Sequence, residues 1–253
     1  MKGLKGKVAV VAGGTGGIGT AISTRLAAEG ASVVVGALSE DEAQDVARTI
    51  TTDGGAAVGM GYDATDERSV GALFSTAVDH FGGVDLLSAN AADISINSLD
   101  KDILDTPLDL FDRTISVNLR GYILLSRAAL PLMLRRGGGA IVYTSSEASF
   151  IGTPVNSYYA TSKGGVNALA RHVAARWGKE GIRSNGVSPG LILTPSAYEH
   201  QTKEFIANQL AAVYTPRLGV ADDIASVVAM LLSEESGYLQ GQVISVNGGL
   251  LMR

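Results

Sequence analysis

The sequence predicts an α/β protein built on a parallel sheet, because two kinds of apolar pattern alternate along it. Short apolar runs of strand length are followed by longer segments of helical period from residue 7 to residue 246. Parallel strands need crossovers of this length, and right-handed crossovers place helices on both faces of the sheet. No linker rich in Pro, Gly or Ser interrupts the alternation, so we interpret residues 1–253 as one domain.

The first half of the chain supplies four predicted strands and three predicted helices. The strands are the apolar runs at residues 7–12, 32–36, 56–62 and 84–89. Helical period predicts helices over residues 18–29, 39–52 and 68–81. Gly30 ends the first helix, Ser39 opens the second, and Asp66 and Glu67 suit the start of the third.

The second half continues the alternation. Apolar runs predict strands at residues 140–144, 182–187 and 242–246, which brings the expected number of strands to about seven. Helices are predicted over residues 107–136 and 158–179, with Pro107 opening the first and Pro131 kinking it or ending its regular part. Residues 195–219 are polar and irregular, and Asp222 or Asp223 is expected to cap a last helix that runs to residue 232.

Composition and charge exclude several classes of function. The net charge is -5 and no run of Lys or Arg forms a basic stripe, so we expect no nucleic-acid partner. The chain has no cysteine, and His80, His172 and His200 lie far apart, so we expect neither disulfides nor a metal site. The apolar run after the first lysines is too short for a signal peptide, and no stretch reaches membrane-spanning length. A cytoplasmic protein without membrane contact is the prediction.

A glycine-rich turn follows the first predicted strand. Residues 13–19 read Gly-Gly-Thr-Gly-Gly-Ile-Gly, which spaces Gly13, Gly17 and Gly19 as GxxxGxG. Glycines permit a sharp turn and a close approach of the backbone to a pyrophosphate, and the next helix directs free N–H groups at it. The alternative interpretation is a tight strand-to-helix turn and nothing more. The position directly after the N-terminal strand favours a dinucleotide site.

A tyrosine, a lysine and a serine form the candidate catalytic group. Tyr159 and Lys163 are four residues apart in a predicted helix and share one face of it, although a surface pair would show the same spacing. Ser145 and Ser146 follow the preceding strand, at the sheet edge where ligands bind in this architecture. An ammonium beside the phenol is expected to lower the tyrosine pKa from about 10 toward the working pH. This pattern indicates a tyrosine that exchanges a proton with a substrate oxygen held by the serine.

Together these features resemble the short-chain dehydrogenase/reductase family, in its compact single-domain branch. The resemblance covers essentially the whole chain and rests on motifs in the family's order, namely Gly13-x-x-x-Gly17-x-Gly19, Asp63, Asn90-Ala91-Ala92, Asn118, Ser146, Tyr159-x-x-x-Lys163, Pro189-Gly190 and Thr194. It implies a Rossmann-type, doubly wound parallel sheet of about seven strands. It also implies an NAD(P)-dependent transfer of hydride between a nicotinamide cofactor and a secondary alcohol or ketone.

Four catalytic roles are implied by the resemblance. Tyr159 is the general acid/base, and Lys163 lowers its pKa and binds the nicotinamide ribose. Ser146 precedes Tyr159 by the family spacing and holds the substrate oxygen, which makes Ser145 the less favoured serine. Asn118 holds a water in a proton relay along the lysine. From the residues alone, Asn118 is equally well explained as a helix asparagine satisfied by backbone groups.

The resemblance also implies a cofactor site that extends from the glycine loop to the segment after the sixth strand. Asp63, which alone would be interpreted as a turn residue, accepts from the adenine amino group. Pro189-Gly190, which alone is only a turn, begins the segment that binds the nicotinamide carboxamide. The expected cofactor-binding residues are Gly13, Thr15, Gly16, Gly17, Ile18, Gly19, Ala37, Asp63, Ala64, Asn90, Ala91, Ala92, Tyr159, Lys163, Pro189, Gly190, Ile192 and Thr194.

Two departures from the family pattern concern the scaffold of that site. Ala12 stands where the glycine motif usually begins with Thr, so a hydroxyl that ties the loop to the neighbouring strand is lost. Residues 89–92 read Ala-Asn-Ala-Ala in place of the usual Asn-Asn-Ala-Gly. Both changes are expected to lower rigidity without removing activity.

A third departure concerns the choice between NAD and NADP. The family places an acidic residue at the end of the second strand to select NAD, or an Arg after it or a base in the glycine loop to select NADP. Here those positions are Ala37, Leu38 and Gly16, and neither signature is present. Three acids at residues 40–42 raise the cost of placing a phosphate nearby, so we expect NAD(H), with dual use as the alternative.

Other enzyme classes and a non-enzyme were weighed. A reductase of carrier-bound β-keto thioesters uses the same catalytic group, but Arg135, Arg136 and Arg217 are too few to indicate a basic rim for a carrier protein. The enoyl-reducing variant places its Tyr seven residues before the Lys, where this chain has Asn156. A non-catalytic dinucleotide-binding regulator would typically lack the Tyr or the Lys, and both are present.

The substrate and the assembly are less constrained by the sequence. A substrate segment is expected at about residues 191–218, with pocket walls near Asp93, residues 147–150, Asn156 and residues 196–213, and their mixed character identifies no substrate. A homotetramer is expected, because family members pair through the helices predicted at 107–136 and 158–179. Small residues in the second helix and an apolar tail favour such contacts, namely Gly164, Gly165, Ala168, Ala174, Ala175, Leu250, Leu251 and Met252.

Overall fold

The seven predicted strands form one parallel sheet in the computed structural model, which describes residues 1–96, 98–194 and 202–252. The strand order is β3-β2-β1-β4-β5-β6-β7, and every pairing is parallel. The strands are β1 Val8–Ala12, β2 Ser32–Ala37, β3 Ala56–Gly61, β4 Leu86–Ala89, β5 Gly139–Thr144, β6 Ile182–Pro189 and β7 Val243–Val246. The predicted α/β class, the doubly wound sheet and the number of strands are confirmed.

Eight helices surround this sheet in the described part of the chain. They are α1 Gly17–Ala28, α2 Glu40–Thr52, α3 Glu67–Phe81, α4 Leu108–Ile115, α5 Gly121–Arg135, α6 Ser157–Trp177, α7 Lys203–Ala212 and α8 Ala221–Leu232. Ser39 and Asp66 cap α2 and α3 through their side chains, as their positions in the sequence predict. Within the described ranges, no helix is long and apolar enough to cross a bilayer.

Burial explains why the central strands are continuous apolar runs. All five residues of β1 are buried, and they alternate between two apolar clusters on opposite faces of the sheet. Ala9 and Val11 belong to the cluster that includes residues of α1 and α8, whereas Val8 and Val10 belong to the cluster that includes residues of α3 and α5. Helices therefore cover both faces, as the alternation predicts.

The long helix predicted over residues 107–136 is divided, but not at Pro131. A π-helical turn, Ser116–Arg120, separates α4 from α5, and Pro131 lies inside α5. Proline removes one N–H, which would have bonded to the carbonyl of Arg127 one turn earlier. Both residues are exposed, so water can satisfy that carbonyl and the helix continues. The π-turn, which the sequence did not indicate, holds Asn118.

The predicted cap of the last helix is also wrong. Val220 is the capping residue, and α8 begins at Ala221. The Asp223 carboxylate accepts a hydrogen bond from the Val220 N–H (2.8 Å) while it pairs with Arg217. The acid therefore acts from the first turn of the helix, where the N–H groups and the helix dipole favour it, and not from the cap itself.

The strand order creates a crevice at one edge of the sheet. The chain passes from β3, at the sheet edge, back to β4 beside β1, so the connections after β1 and β4 run to opposite sides. Ligands bind outside the carboxyl ends of the strands at such a switch point. The loops that follow β1, β4, β5 and β6 carry most of the residues that the sequence predicts to be functional.

Candidate active site

The glycine loop folds tightly on itself after β1. Gly13 has a φ of 80°, in the left-handed region, and a Cβ atom there would lie 2.6 Å from the backbone of Ala91. A Cβ atom on Gly19 would lie only 1.9 Å from the carbonyl oxygen of Gly13. Side chains at these two positions are therefore excluded by the backbone, which explains the glycines at both ends of the motif.

Hydrogen bonds from two neighbouring strands hold the loop. The backbone N–H groups of Gly13 and Gly14 both donate to the Gly36 carbonyl, each at 2.8 Å. The Asn90 side chain, after β4, donates to the Gly13 carbonyl (3.0 Å) and accepts from the Thr144 hydroxyl (3.0 Å). The hydroxyl that Ala12 lacks is therefore compensated by a side chain from β4 and by contacts to β2.

The start of α1 fits the pyrophosphate of a dinucleotide. Gly16 caps the helix without a side-chain hydrogen bond, and the first turn contains no acid. A Cβ atom on Gly16 would meet nothing within 4 Å, whereas one on Gly17 would lie 2.6 Å from the Thr194 side chain. The first turn thus combines N–H groups without a side-chain cap, a positive dipole end and open space, which is the chemistry that binds phosphate.

The far end of the expected cofactor site is acidic. Ala37 ends β2 in a buried position and the following Leu38 side chain is 82% exposed. The Thr15 hydroxyl of the glycine loop donates to the Glu42 carboxylate at 3.3 Å. Asp63 uses one carboxylate oxygen to accept from the N–H (2.8 Å) and the hydroxyl (2.7 Å) of Thr65. The turn interpretation of Asp63 is therefore realised, and its second oxygen is the one that an adenine amino group would use.

The serine and tyrosine that the sequence predicts to be catalytic come together where β5 ends. Ser146 follows β5, and its hydroxyl accepts a weak hydrogen bond from the Ala148 N–H (3.3 Å). The phenol of Tyr159, in the first turn of α6, lies close enough to the same hydroxyl for Ser146 to lower its pKa. Ser145 is directed away from this pair, since its hydroxyl contacts Ser149 and the Lys163 carbonyl. Ser146 is therefore the serine that meets the tyrosine.

Lys163 is completely buried beneath this pair. Its ammonium nitrogen donates to the Thr144 carbonyl (2.9 Å) and lies 5.1 Å from the ring centre of Tyr122 and 5.7 Å from that of Tyr159. Burial lowers the pKa of Lys163 to about 7, because the charged form loses its hydration. Near neutral pH this side chain can therefore both hold and release a proton.

The predicted direction of the Tyr159 pKa is wrong for the chain alone. Burial raises the pKa of the Tyr159 phenol, and the hydrogen bond from Ser146 only partly opposes that rise. Lys163 does not reverse it, because the same burial disfavours the ammonium that would stabilise a phenolate. In the chain alone the pKa of Tyr159 therefore stays raised, and the positive charge of a bound ligand would act in the opposite direction.

Asn118 lies on the π-turn, next to the catalytic group. It is fully buried, its side-chain oxygen accepts the Asp93 N–H (2.9 Å), and its side-chain nitrogen has no partner among the described residues. The next residue, Leu119, packs against Gly165, where a Cβ atom would lie 2.7 Å from it. A buried donor without a partner is costly, so it fits a residue that holds a water or a ligand group.

The segment after β6 lies beside Glu147, which belongs to the residues expected to line the substrate pocket. The Gly190 N–H donates to the Val246 carbonyl (3.1 Å), and the Ile192 side chain is buried in the core. One carboxylate oxygen of Glu147 is buried without a partner among the described residues and would lie 3.2 Å from a Cβ atom on Gly190. Burial raises the pKa of Glu147, and a hydrogen bond with Asn247 partly opposes this.

The structure brings most of the predicted site residues to one edge of the sheet. The glycine loop, Asn90 to Ala92, the catalytic group and the segment from Pro189 to Thr194 all follow the carboxyl ends of the strands. Residues 195–201, in the expected substrate segment, lie outside the described residues, and the described remainder contains α7. Sequence reasoning missed the buried carboxylate of Asp100, which accepts the Tyr159 N–H at 2.9 Å.

Comparisons with known proteins place the chain among dehydrogenases and reductases. A family model described as enoyl-(acyl carrier protein) reductase matches residues 12–251. A probable short-chain type dehydrogenase/reductase of Bradyrhizobium diazoefficiens is 39% identical over 98% of this chain and 88% of its own length. The 7α-hydroxysteroid dehydrogenase of Clostridium sardiniense is 36% identical over 100% of this chain and 96% of its own.

A solved structure gives the same result at the level of the fold. A 7α-hydroxysteroid dehydrogenase in complex with NADH and 7-oxo glycochenodeoxycholic acid superposes with a TM-score of 0.91 at 34% identity, over 97% of this chain and 94% of that one. The enoyl-reducing activity in the family model's description is not supported by the site, where Asn156 stands seven residues before Lys163. The extent of these matches shows that the chain belongs to the short-chain dehydrogenase/reductase family of oxidoreductases.

Proposed function

We propose that the protein interconverts a secondary alcohol and a ketone with NAD(H), and that Ser146, Tyr159 and Lys163 carry out the proton chemistry. The observation that carries this proposal is the proximity of the Ser146 hydroxyl to the Tyr159 phenol, with the buried Lys163 ammonium 5.7 Å from the centre of the Tyr159 ring. Relatives named 7α-hydroxysteroid dehydrogenase, one of them solved with NADH and a 7-oxo compound, support this reaction class.

Each residue has a defined part in the proposed reaction. A bound nicotinamide ring supplies the hydride acceptor or donor, and its oxidised form adds a positive charge that favours the Tyr159 phenolate. Ser146 holds the substrate oxygen and Tyr159 takes or gives the proton at that oxygen. Lys163, with a pKa of about 7, passes the proton on toward Asn118, whose unpartnered side-chain nitrogen fits a relay water.

Two pairs of adjacent residues provide a test with matched controls. Tyr159→Phe should reduce turnover by about 10²–10⁴ while cofactor binding persists, because only the exchangeable proton is removed. The control is Tyr158→Phe, which keeps the ring and removes a hydroxyl that bonds to the Thr106 carbonyl and not to Ser146, so it should reduce turnover far less. Ser146→Ala should likewise reduce turnover far more than Ser145→Ala. Near-normal turnover in the Tyr159 variant would disprove the assignment.

NAD(H) is the proposed cofactor, and the placement of Glu42 supports it. The carboxylate reaches the hydroxyl of Thr15, so a negative charge lies against the glycine loop near the expected adenosine ribose. The Ser39 hydroxyl, which could otherwise serve a phosphate, accepts the Glu42 N–H at 3.3 Å. A ratio of kcat/KM values that favours NADP(H) by more than about tenfold would contradict the proposal.

The carrier-protein alternative is weakened by the three arginines that the sequence offered for a basic rim. Arg136 forms a bidentate ion pair with Asp85, and Arg217 forms one with Asp223. Arg135 is the last residue of α5, and Arg136 lies between α5 and β5, at the sheet edge opposite the site. An assay should therefore show bile acids or simple secondary alcohols as better substrates than β-ketoacyl thioesters.

A homotetramer remains the proposed assembly, although fewer residues of α6 are free to contact a second copy than the sequence suggested. Gly165 packs against Leu119 and Ala174 is buried, so these two residues serve the fold of one chain. Ala168 and Ala175 are exposed, and a Cβ atom on Gly164 would meet nothing within 4 Å. This small-residue face of α6 suits close packing of a second copy. A monomer mass in light scattering at micromolar concentration would reject the tetramer.

The cytoplasmic location expected from the sequence stays a prediction.

A further inference from the structure

The first turn of α6, which carries Tyr159, has no cap of its own. Asn156 occupies the capping position but makes no side-chain capping hydrogen bond, and its φ of 63° lies in the left-handed region. Among the described residues other than glycine, it alone has a positive φ. The N–H groups of a first helical turn need acceptors from elsewhere when the local cap fails.

Those acceptors come from Asp100, in the connection between β4 and α4. One carboxylate oxygen accepts the N–H groups of Tyr158 (3.0 Å) and Tyr159 (2.9 Å), and the other lies 3.4 Å from the Ser157 hydroxyl. The Asp100 carbonyl also accepts the Asn156 N–H at 2.8 Å. Four consecutive residues at the start of α6 are thus bound by one residue 56 or more positions away in sequence.

Burial shows that this arrangement is more than a surface cap. Asp100 is 2% exposed, and a buried carboxylate is costly unless several donors satisfy it. The same region gains a second anchor from Tyr158, whose hydroxyl donates to the Thr106 carbonyl (3.0 Å) and whose ring meets Phe111 edge-on at 5.2 Å. The start of α6 is therefore fixed to the β4–α4 connection by the Asp100 carboxylate and by the Tyr158 side chain.

We propose that Asp100 is a positioning residue for the reaction, which holds the backbone of Tyr159 so that its phenol meets Ser146. The proposal rests on the function proposed above, in which Tyr159 is the acid/base. Proton transfer depends on hydrogen-bond geometry, and displacement of a reacting group by about 1 Å can cost about 10²-fold in rate. Because Asp100 touches neither substrate nor cofactor in this scheme, its loss should act on turnover and not on cofactor binding.

The test compares Asp100→Ala and Asp100→Asn with Asp102→Ala. Asp102 lies in the same connection, is exposed, and accepts the N–H groups of Leu104 and Asp105 within its own segment. We expect Asp100→Ala to reduce kcat by about 10–100-fold and to change the NADH dissociation constant less than threefold. Asp100→Asn should be intermediate, because its amide oxygen still accepts a hydrogen bond, and Asp102→Ala should leave kcat within twofold. Assays are run well below each variant's thermal midpoint.

Two further readouts separate positioning from a general loss of stability. The pH profile of kcat/KM should shift in the Asp100 variants, because the Ser146 hydroxyl no longer meets the phenol correctly. Asp100→Ala combined with Tyr159→Phe should cost less than about twofold beyond Tyr159→Phe alone, because no phenol remains to be positioned. If Asp100→Ala does not fold, Asp100→Asn carries the same comparisons.

The outcomes distinguish failure of this proposal from failure of the proposed function. Normal turnover in Tyr159→Phe would remove the acid/base assignment and the Asp100 role with it. An inactive Tyr159→Phe variant with normal kcat and an unchanged pH profile in both Asp100 variants would overturn the positioning role alone. Equal losses of kcat in Asp100→Ala and Asp102→Ala would also overturn it. The same holds if the loss in the double variant Asp100→Ala/Tyr159→Phe equals the product of the losses in the two single variants.

Discussion

Neutralising Glu42 should shift the protein toward NADP(H). The Glu42 carboxylate lies 3.3 Å from the Thr15 hydroxyl, and a phosphate that approached this hydroxyl within a hydrogen bond of about 2.8 Å would lie about 6 Å from the carboxylate. Two unit charges at about 6 Å in water repel by about 0.7 kcal/mol. A 2′-phosphate with nearly two charges would therefore be penalised by about 1.2 kcal/mol, or about eightfold.

The assay is the ratio of kcat/KM for NADP(H) to that for NAD(H), measured with one substrate. Glu42→Gln should raise this ratio about eightfold, and Glu42→Lys, which replaces repulsion by attraction, by about the square of that factor. Asp41→Asn is the matched control, because it removes the same charge from the neighbouring exposed position, next to the residue that reaches Thr15. High salt should shrink the shift, since exposed charges are screened.

Three results would refute this reasoning. If Glu42→Gln and Asp41→Asn changed the ratio equally, the contact with Thr15 would have no special effect. If neither Glu42 variant changed the ratio beyond twofold, selection would depend on another part of the cofactor site. A change in KM for the alcohol without a change in the ratio would place Glu42 outside cofactor selection altogether.

Three predictions concern stability. Burial holds the pKa of Lys163 in the folded form at about 7, below its ordinary value, so above pH 7 the folded form binds fewer protons than the unfolded form. The thermal midpoint should therefore rise from pH 7 to 9. Lys163→Met should remove that rise, and parallel curves of midpoint against pH for the two proteins would contradict this prediction. The pKa of Glu147 is raised, so ionisation of this carboxyl destabilises the folded form. Glu147→Gln should therefore have a higher thermal midpoint than the unchanged protein at pH 7.5 and the same midpoint at pH 4. A lower midpoint of the variant at pH 7.5 would contradict this prediction. Asp85→Asn removes the charge that pairs with half-exposed Arg136 and weakens the acceptor of the Val8 N–H, and urea titration should show a loss of about 1–3 kcal/mol, against less than about 0.5 kcal/mol for Asp45→Asn in an exposed pair.

The fold was largely predictable because its signals are local. Each strand is an apolar run with a clear end, and caps such as Ser39 and Asp66 are recognisable from residue type and position. Pro131 misled the prediction, because a helix tolerates proline where the affected carbonyl faces water, and this depends on exposure that sequence does not report. The π-turn at residues 116–120 has no sequence signature, since its extra residue is accommodated by packing against Gly165.

The candidate site, like the fold, was only partly predictable from the sequence. Ser146, Tyr159 and Lys163 could be assigned from spacing, because a helix and a strand end fix their relation. The contacts of Asp100 with α6 and of Glu42 with Thr15 could not, since they join segments 27 or more residues apart. The direction of the Tyr159 pKa was missed for a related reason. Charge proximity can be inferred from spacing, whereas the burial that outweighs it is a property of the whole structure.

Thr144 connects the two halves of the site. Its carbonyl accepts from Lys163, its hydroxyl donates to Asn90, and Asn90 in turn donates to the Gly13 carbonyl. A single path thus runs from the catalytic lysine to the loop expected to hold the pyrophosphate, and it does not pass through Leu38 or Glu42. Substitutions at Leu38 or Glu42, in the region expected to bind the adenosine, can therefore change the choice between NAD and NADP without breaking this path. Substitution of Asn90 or of the Thr144 side chain would break this path at the glycine loop, whereas the Thr144 carbonyl that holds Lys163 is a backbone group and would remain.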